Sequence, residues 1–177
     1  MNQHERILLL LLFSPLMLFA GLNEEINSLL YEAYGNECQI ELSSISLSAG
    51  IIESIEKKCK QKFYREQLNC YTITTESGDR FTALLDNVYG KSLPITFLVV
   101  FDEQGTIDNS FIVKYRETHG YGVKSKEWLK QFTGKNQKSG FTPGTDIQGV
   151  TGSTISVRSV STGIKKLTLL YNFIQKK

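Results

Sequence analysis

Histidine is nearly absent from this chain: His4 and His119 are the only two in 177 residues. Cysteine is scarce as well, and Cys38, Cys59 and Cys70 stand at no zinc-like spacing, so a structural zinc site is excluded. No serine, cysteine or carboxylate stands in a hydrolase pattern with His119, which removes the common nucleophilic enzymes. Net charge is low, +2 from 20 basic and 18 acidic residues. No basic run interleaves with aromatics, so nothing marks a nucleic-acid surface. Prolines number only three, and there is no internal repeat, low-complexity tract or linker. What remains is a folded composition, 41% hydrophobic and 21% charged, long enough for one domain with a sizeable core.

The amino terminus stands apart. His4 and Arg6 precede Ile7-Leu8-Leu9-Leu10-Leu11-Leu12-Phe13, then Ser14-Pro15 and Leu16-Met17-Leu18-Phe19-Ala20. An apolar core of about 14 residues fits a signal peptide and is short for a membrane span. Residues 1–20 are expected to be a signal peptide or an N-terminal anchor, with residues 21–177 as the domain on the exported, periplasmic or extracytoplasmic side. Export would bring the cysteines into an oxidising compartment. One bridge and one leftover thiol are then allowed, Cys59 and Cys70 being the nearest pair in sequence; three free buried thiols are the alternative.

Periodicity outlines an α+β domain. Asn23 to Tyr34 and Ala49 to Phe63 read as helices, the second with Ile51, Ile52, Ile55 and Cys59 inward. Strands are expected at Gln39 to Leu47, Cys70 to Glu76, Phe81 to Tyr89, Ile95 to Phe101 and Ile107 to Tyr115. Short turns at Ser77-Gly78-Asp79 and Asp102-Glu103-Gln104-Gly105 make the sheet largely antiparallel, with helices packed on it. The last helix runs from about Ile155 to Ile174, its apolar face carrying Val160, Ile164, Leu167, Tyr171 and Ile174 at 3.6-residue spacing.

Two stretches carry candidate chemistry. In Thr151-Gly152-Ser153-Thr154 a small hydroxyl-rich turn opens the last helix, where free backbone amides and the positive end of the dipole favour an anion such as phosphate. The same residues also suit plain helix capping. Upstream, Glu117-Thr118-His119-Gly120-Tyr121-Gly122 follows a strand, and its two glycines allow backbone to approach a ligand closely. Trp128 and Phe132, four apart, read as core packing on a short helical turn.

Together these stretches resemble the FMN-binding domain found in the G subunit of the Rnf electron-transport complex and the C subunit of the sodium-translocating NADH:quinone reductase. The shared pattern is Glu117-Thr118-x-Gly120-x-Gly122, a Trp-containing turn with Gly134-Lys135, and Thr151-Gly152-Ser153-Thr154. It spans roughly Leu68 to Ile164. The resemblance implies FMN as cofactor, joined through its phosphate as an ester to Thr154 by a separate flavin transferase that uses FAD and magnesium. It implies that Thr151, Gly152 and Ser153 shape the phosphate turn. Glu117 and Thr118 are implied to lie against the ring or ribityl chain, Gly120 and Gly122 to admit backbone to the ring, and Tyr121 to cover a ring face. The implied role is an electron carrier with a redox partner protein or membrane electron-transport complex, rather than a stand-alone enzyme. Two positions depart from the family pattern: Gln148 replaces an aspartate and Ser153 an alanine. They keep open a second reading, a domain of this fold that binds FMN noncovalently or serves without flavin as an interaction or sensor module.

Overall fold

The computed structural model describes residues 14–175, with side chains from residue 21 onward. The expected leader therefore lies outside the described residues, except that residues 14–20 begin a helix. The chain divides into two units, residues 1–38 and 39–177. In the first, helix α1 spans Ser14–Tyr34, longer than the segment that starts at Asn23. Gly35, at φ 96°, ends it and its amide bonds back to the Tyr31 carbonyl. No helix among the described residues is long and apolar enough to cross a membrane.

The second unit is an α+β domain. Strands β1 (Gln39–Ser46), β2 (Gln67–Thr74), β3 (Arg80–Tyr89), β4 (Pro94–Phe101) and β5 (Ile107–Tyr115) form one sheet in the order β1-β2-β3-β4-β5. Every neighbouring pair is antiparallel. Tight turns join β2 to β3, β3 to β4 and β4 to β5, while residues 47–66 carry the chain from β1 to β2, and each strand folds back on the one before it. Helix α2 (Ala49–Cys59) and helix α4 (Thr154–Gln175) touch each other, and α4 lies on β3 and β4. Between β5 and α4 come a 3-10 turn at Tyr121–Lys124, the short helix α3 (Lys126–Leu129) and a second 3-10 turn at Lys130–Phe132.

The core forms where α4 meets the sheet. Val160, Ile164, Leu167 and Tyr171 are each at most 1% exposed, as their spacing predicts. Gly163 sets the approach: a Cβ there would come within 2.6 Å of Val88 and 2.8 Å of Phe97. The Tyr171 ring stacks on Phe101 at 4.6 Å. Trp128 and Phe132 meet edge to face at 5.2 Å and are buried, so their fourfold spacing is core packing.

The structure corrects three expectations. The second strand is Gln67–Thr74 rather than Cys70 to Glu76, because β1 pairs with it as far as Ser46↔Gln67. Helix α2 stops at Cys59 rather than Phe63. Lys60 caps it in the left-handed region at φ 54°, its amide bonding to the Glu56 carbonyl at 2.7 Å. The freed segment covers a buried ion pair: Lys166 Nζ lies 2.7 Å from Asp86 Oδ2, donates to the Lys62 carbonyl at 2.7 Å and sits 4.4 Å from the centre of the Phe63 ring. Last, Cys59 and Cys70 form no bridge; all three cysteines are free and buried. The Cys59 thiol donates to the Ile55 carbonyl at 3.0 Å, and burial pushes the thiols of Cys59 and Cys70 above their usual range.

Candidate functional site

Three segments far apart in sequence meet at one end of the sheet. The β3–β4 turn, residues 90–93, and the chain leaving β5 emerge on the same side, since Tyr89 pairs with Pro94 and Ile95 with Tyr115. Polar side chains tie this end together. Thr96 Oγ1 donates to Asn87 Oδ1 at 2.7 Å, and Arg116 Nη1 donates to Thr96 Oγ1 and to the Pro94 carbonyl at 3.0 and 3.1 Å. The third segment is the start of α4. The three enclose an open cleft of about 610 Å³, lined by Lys91, Ser92 and Leu93, by Glu117, Thr118 and His119, and by residues 152–156. That volume suits a cofactor-sized molecule.

The glycines of the two sequence motifs bring them together. Gly120 has φ 85°, open to glycine at little cost. A Cβ there would lie 2.6 Å from Tyr115 Oη and 3.2 Å from Ser153 Oγ. A Cβ on Gly122 would run into the Val150 side chain. The loop after β5 is thus pressed against the turn that opens α4. Gly152, at φ 74°, lets that turn reverse, with the Ser153 amide closing on the Val150 carbonyl at 3.0 Å. Entry to the turn is fixed from the other side. Trp128 Nε1 donates to the Gln148 carbonyl at 2.8 Å, and the Gln148 amide donates to Gln131 Oε1 at 2.6 Å. The Gln148 side chain itself faces solvent.

The electrostatics of the cleft favour an anion at the helix end. α4 runs 22 residues, and the amides of its first turn have no acceptor within the helix. Ser153 is placed to cap them, yet its Oγ is buried and makes no hydrogen bond, with the residue 4% exposed. An unpartnered buried hydroxyl is costly, and a ligand oxygen would satisfy it. Thr154, next to it, is exposed, and no hydrogen bond engages its hydroxyl among the described residues. Lys91 adds a positive charge that makes no ion pair among the described residues. Glu117 is the counterweight, and its charge is already engaged. Its Oε1 accepts the amides of Leu93 and Ser92, which hold its carboxyl below the usual carboxylate range.

Glu117, Thr118, Gly152, Ser153 and Thr154 line the cleft together. Thr151, Gly120, Gly122 and Tyr121 do not line it. The two glycines sit behind it as spacers, and Tyr121, 59% exposed, leans on the Tyr115 ring at 5.3 Å. Residues not singled out from sequence also contribute, namely Lys91, Ser92, Leu93, His119, Ile155 and Ser156. A glycine beside a lysine at the β3–β4 turn was the available signal for Lys91, but such turns are common and carry no chemistry alone.

A family model described as the FMN-binding domain matches residues 90–168, a span that holds all three cleft segments. A similar protein is the G subunit of the Na(+)-translocating ferredoxin:NAD(+) oxidoreductase complex of Acetobacterium woodii, 34% identical over 136 residues. That match takes in 71% of this chain and 65% of the relative, so the chain spans just under two thirds of the relative's length. Among solved structures, the C subunit of the Na(+)-translocating NADH-quinone reductase from Parabacteroides distasonis shares the fold. Its TM-score is 0.50 at 16% identity, over 85% of this chain and 96% of that one.

Proposed function

Because this chain carries an FMN-binding domain, with FMN as its cofactor, we propose that it is an exported electron-transfer flavoprotein whose FMN is ester-linked to Thr154. The observation that carries this reading is Ser153 Oγ, buried and unpartnered beside the free Thr154 hydroxyl at the head of α4. These residues fit a phosphate: the first-turn amides and the Ser153 hydroxyl would donate to its oxygens, and Gly152 leaves the approach open. Lys91 adds attraction for a dianion at the mouth of the cleft.

When bound, the flavin supplies one- and two-electron transfer, and the protein's part is to hold, orient and tune it. Linkage proceeds at Thr154 Oγ1 in the hands of a flavin transferase. The hydroxyl would bond to the FMN phosphorus of FAD as the bridging P–O bond breaks, its proton passing to solvent and AMP leaving. A covalent tether suits an exported carrier, since a dissociable cofactor would be lost by dilution. The electron partner is a redox protein or a membrane electron-transport complex, in keeping with the relatives named above.

Gln148 supports noncovalent FMN binding as a second reading. Its exposed side chain replaces the family's aspartate on a surface open to a transferase. Intact mass separates the two, on protein exported in a host with a flavin transferase, beside a Thr154→Ala variant. The expected result is a gain of FMN less one water in the wild type alone. No gain in either, while a control protein is flavinylated, refutes the linkage.

A further inference from the structure

Glu117 is buried while Arg116, Thr118 and His119 around it are less enclosed. Its Oε1 accepts two amides, from Ser92 at 2.6 Å and Leu93 at 2.9 Å. Both belong to the β3–β4 turn, which also closes on itself through the Gly90 amide and the Leu93 carbonyl at 3.0 Å. Gly90 makes the space: a Cβ there would lie 2.5 Å from the same Oε1. One carboxylate thus fastens the turn to the chain leaving β5. Both acceptor sites of Oε1 are thus spent on the protein, and only Oε2 is left to face the cleft. The turn it fastens carries Leu93, 41% exposed on the cleft, while the start of α4 carries Ile155, 49% exposed on the same cleft. Large apolar side chains at the edge of a polar cleft gain by being covered, and a fused aromatic ring offers the flat apolar area to do so.

We infer that Glu117 is a positioning residue: it clasps the β3–β4 turn so that Leu93, with Ile155 from α4, supplies the apolar contacts to the flavin ring. This inference rests on the reading of the cleft as the FMN site. It gives Glu117, through Oε1, a supporting role toward the residues that meet the cofactor. The side chain needs an acceptor oxygen at Oε1.

The test uses full-length protein made without a flavin transferase, to which FMN is added, with variants Glu117→Gln and Glu117→Ala. Glutamine keeps an acceptor oxygen, so its FMN affinity stays within about threefold of wild type; alanine loses about tenfold or more. In the FMN-free protein, the Ser92 and Leu93 amides exchange faster in Glu117→Ala and stay protected in Glu117→Gln. The visible absorption of bound FMN, whose shoulders sharpen in apolar surroundings, flattens in Leu93→Asn and in Ile155→Asn. Those two variants decide the matter should Glu117→Ala not fold. Equal loss in both Glu117 variants means the charge itself meets the cofactor, and overturns the inference. Wild-type binding and spectra in Glu117→Ala, or in both asparagine variants, overturn it too and leave the cleft reading standing. Failure of the wild type to take up FMN, either free or from FAD with a flavin transferase present, overturns both.

Discussion

The hydroxyls of Tyr115 and Ser156 meet at 3.0 Å across 41 residues of sequence. Tyr115 spends its one proton on the His119 carbonyl, at 2.5 Å, so the serine hydroxyl is the donor to the tyrosine oxygen. This phenol joins the end of β5, the loop after it and the first turn of α4. Tyr115→Phe is expected to cost about 1 kcal/mol in urea unfolding, the worth of a typical hydrogen bond. It also frees residues 117–122 to exchange amide protons faster and weakens FMN uptake. Unchanged exchange in that loop would mean the glycine contacts hold it without the phenol.

Lys166 and Asp86 are buried together, at 0% and 4% exposure. Removing one partner leaves a buried charge alone, so Lys166→Met or Asp86→Leu is expected to cost about 3–5 kcal/mol. The double variant Asp86→Leu/Lys166→Met should cost less than either single change. Urea unfolding of all four proteins checks this, and additive losses would contradict it.

Glu117 gives the clasp a pH dependence of definite sign. Its folded pKa is depressed by the Leu93 and Ser92 amides, so its contribution to stability is present above the unfolded value of about 4.3. That contribution is lost as pH falls through the lower folded pKa. The difference in thermal midpoint between wild type and Glu117→Ala should hold from neutral pH down to about 5 and shrink in stronger acid. A gap that widens with acid would show that the carboxylate is not stabilised by these amides.

Free buried thiols predict a simple titration. Burial pushes Cys38, Cys59 and Cys70 above their usual range, so a disulfide exchange reagent should find almost no reactive thiol in the folded protein. Unfolded in urea without reductant, the same sample should release three. Release of one would restore the bridge between Cys59 and Cys70.

The residue pattern outlines every strand to within a few residues, because alternation and turn residues are local signals. It determined α4 for the same reason: Val160, Ile164, Leu167 and Tyr171 repeat with the helix period. It also marked the Glu117–Gly122 stretch and the Thr151–Thr154 stretch as places where the backbone does something unusual. Tertiary structure alone decided what those stretches touch. Helix α2 ends at Cys59 with Lys60 in the left-handed region, and the segment after it brings the Lys62 carbonyl to Lys166, 104 residues on, a contact invisible to local periodicity. Glu117 turns to the amides of Ser92 and Leu93 because antiparallel pairing of β3, β4 and β5 brings their ends to one side. The cleft itself arises from that convergence. Which side chains line it depends on contacts between distant segments, whose cost and gain no single stretch of sequence carries.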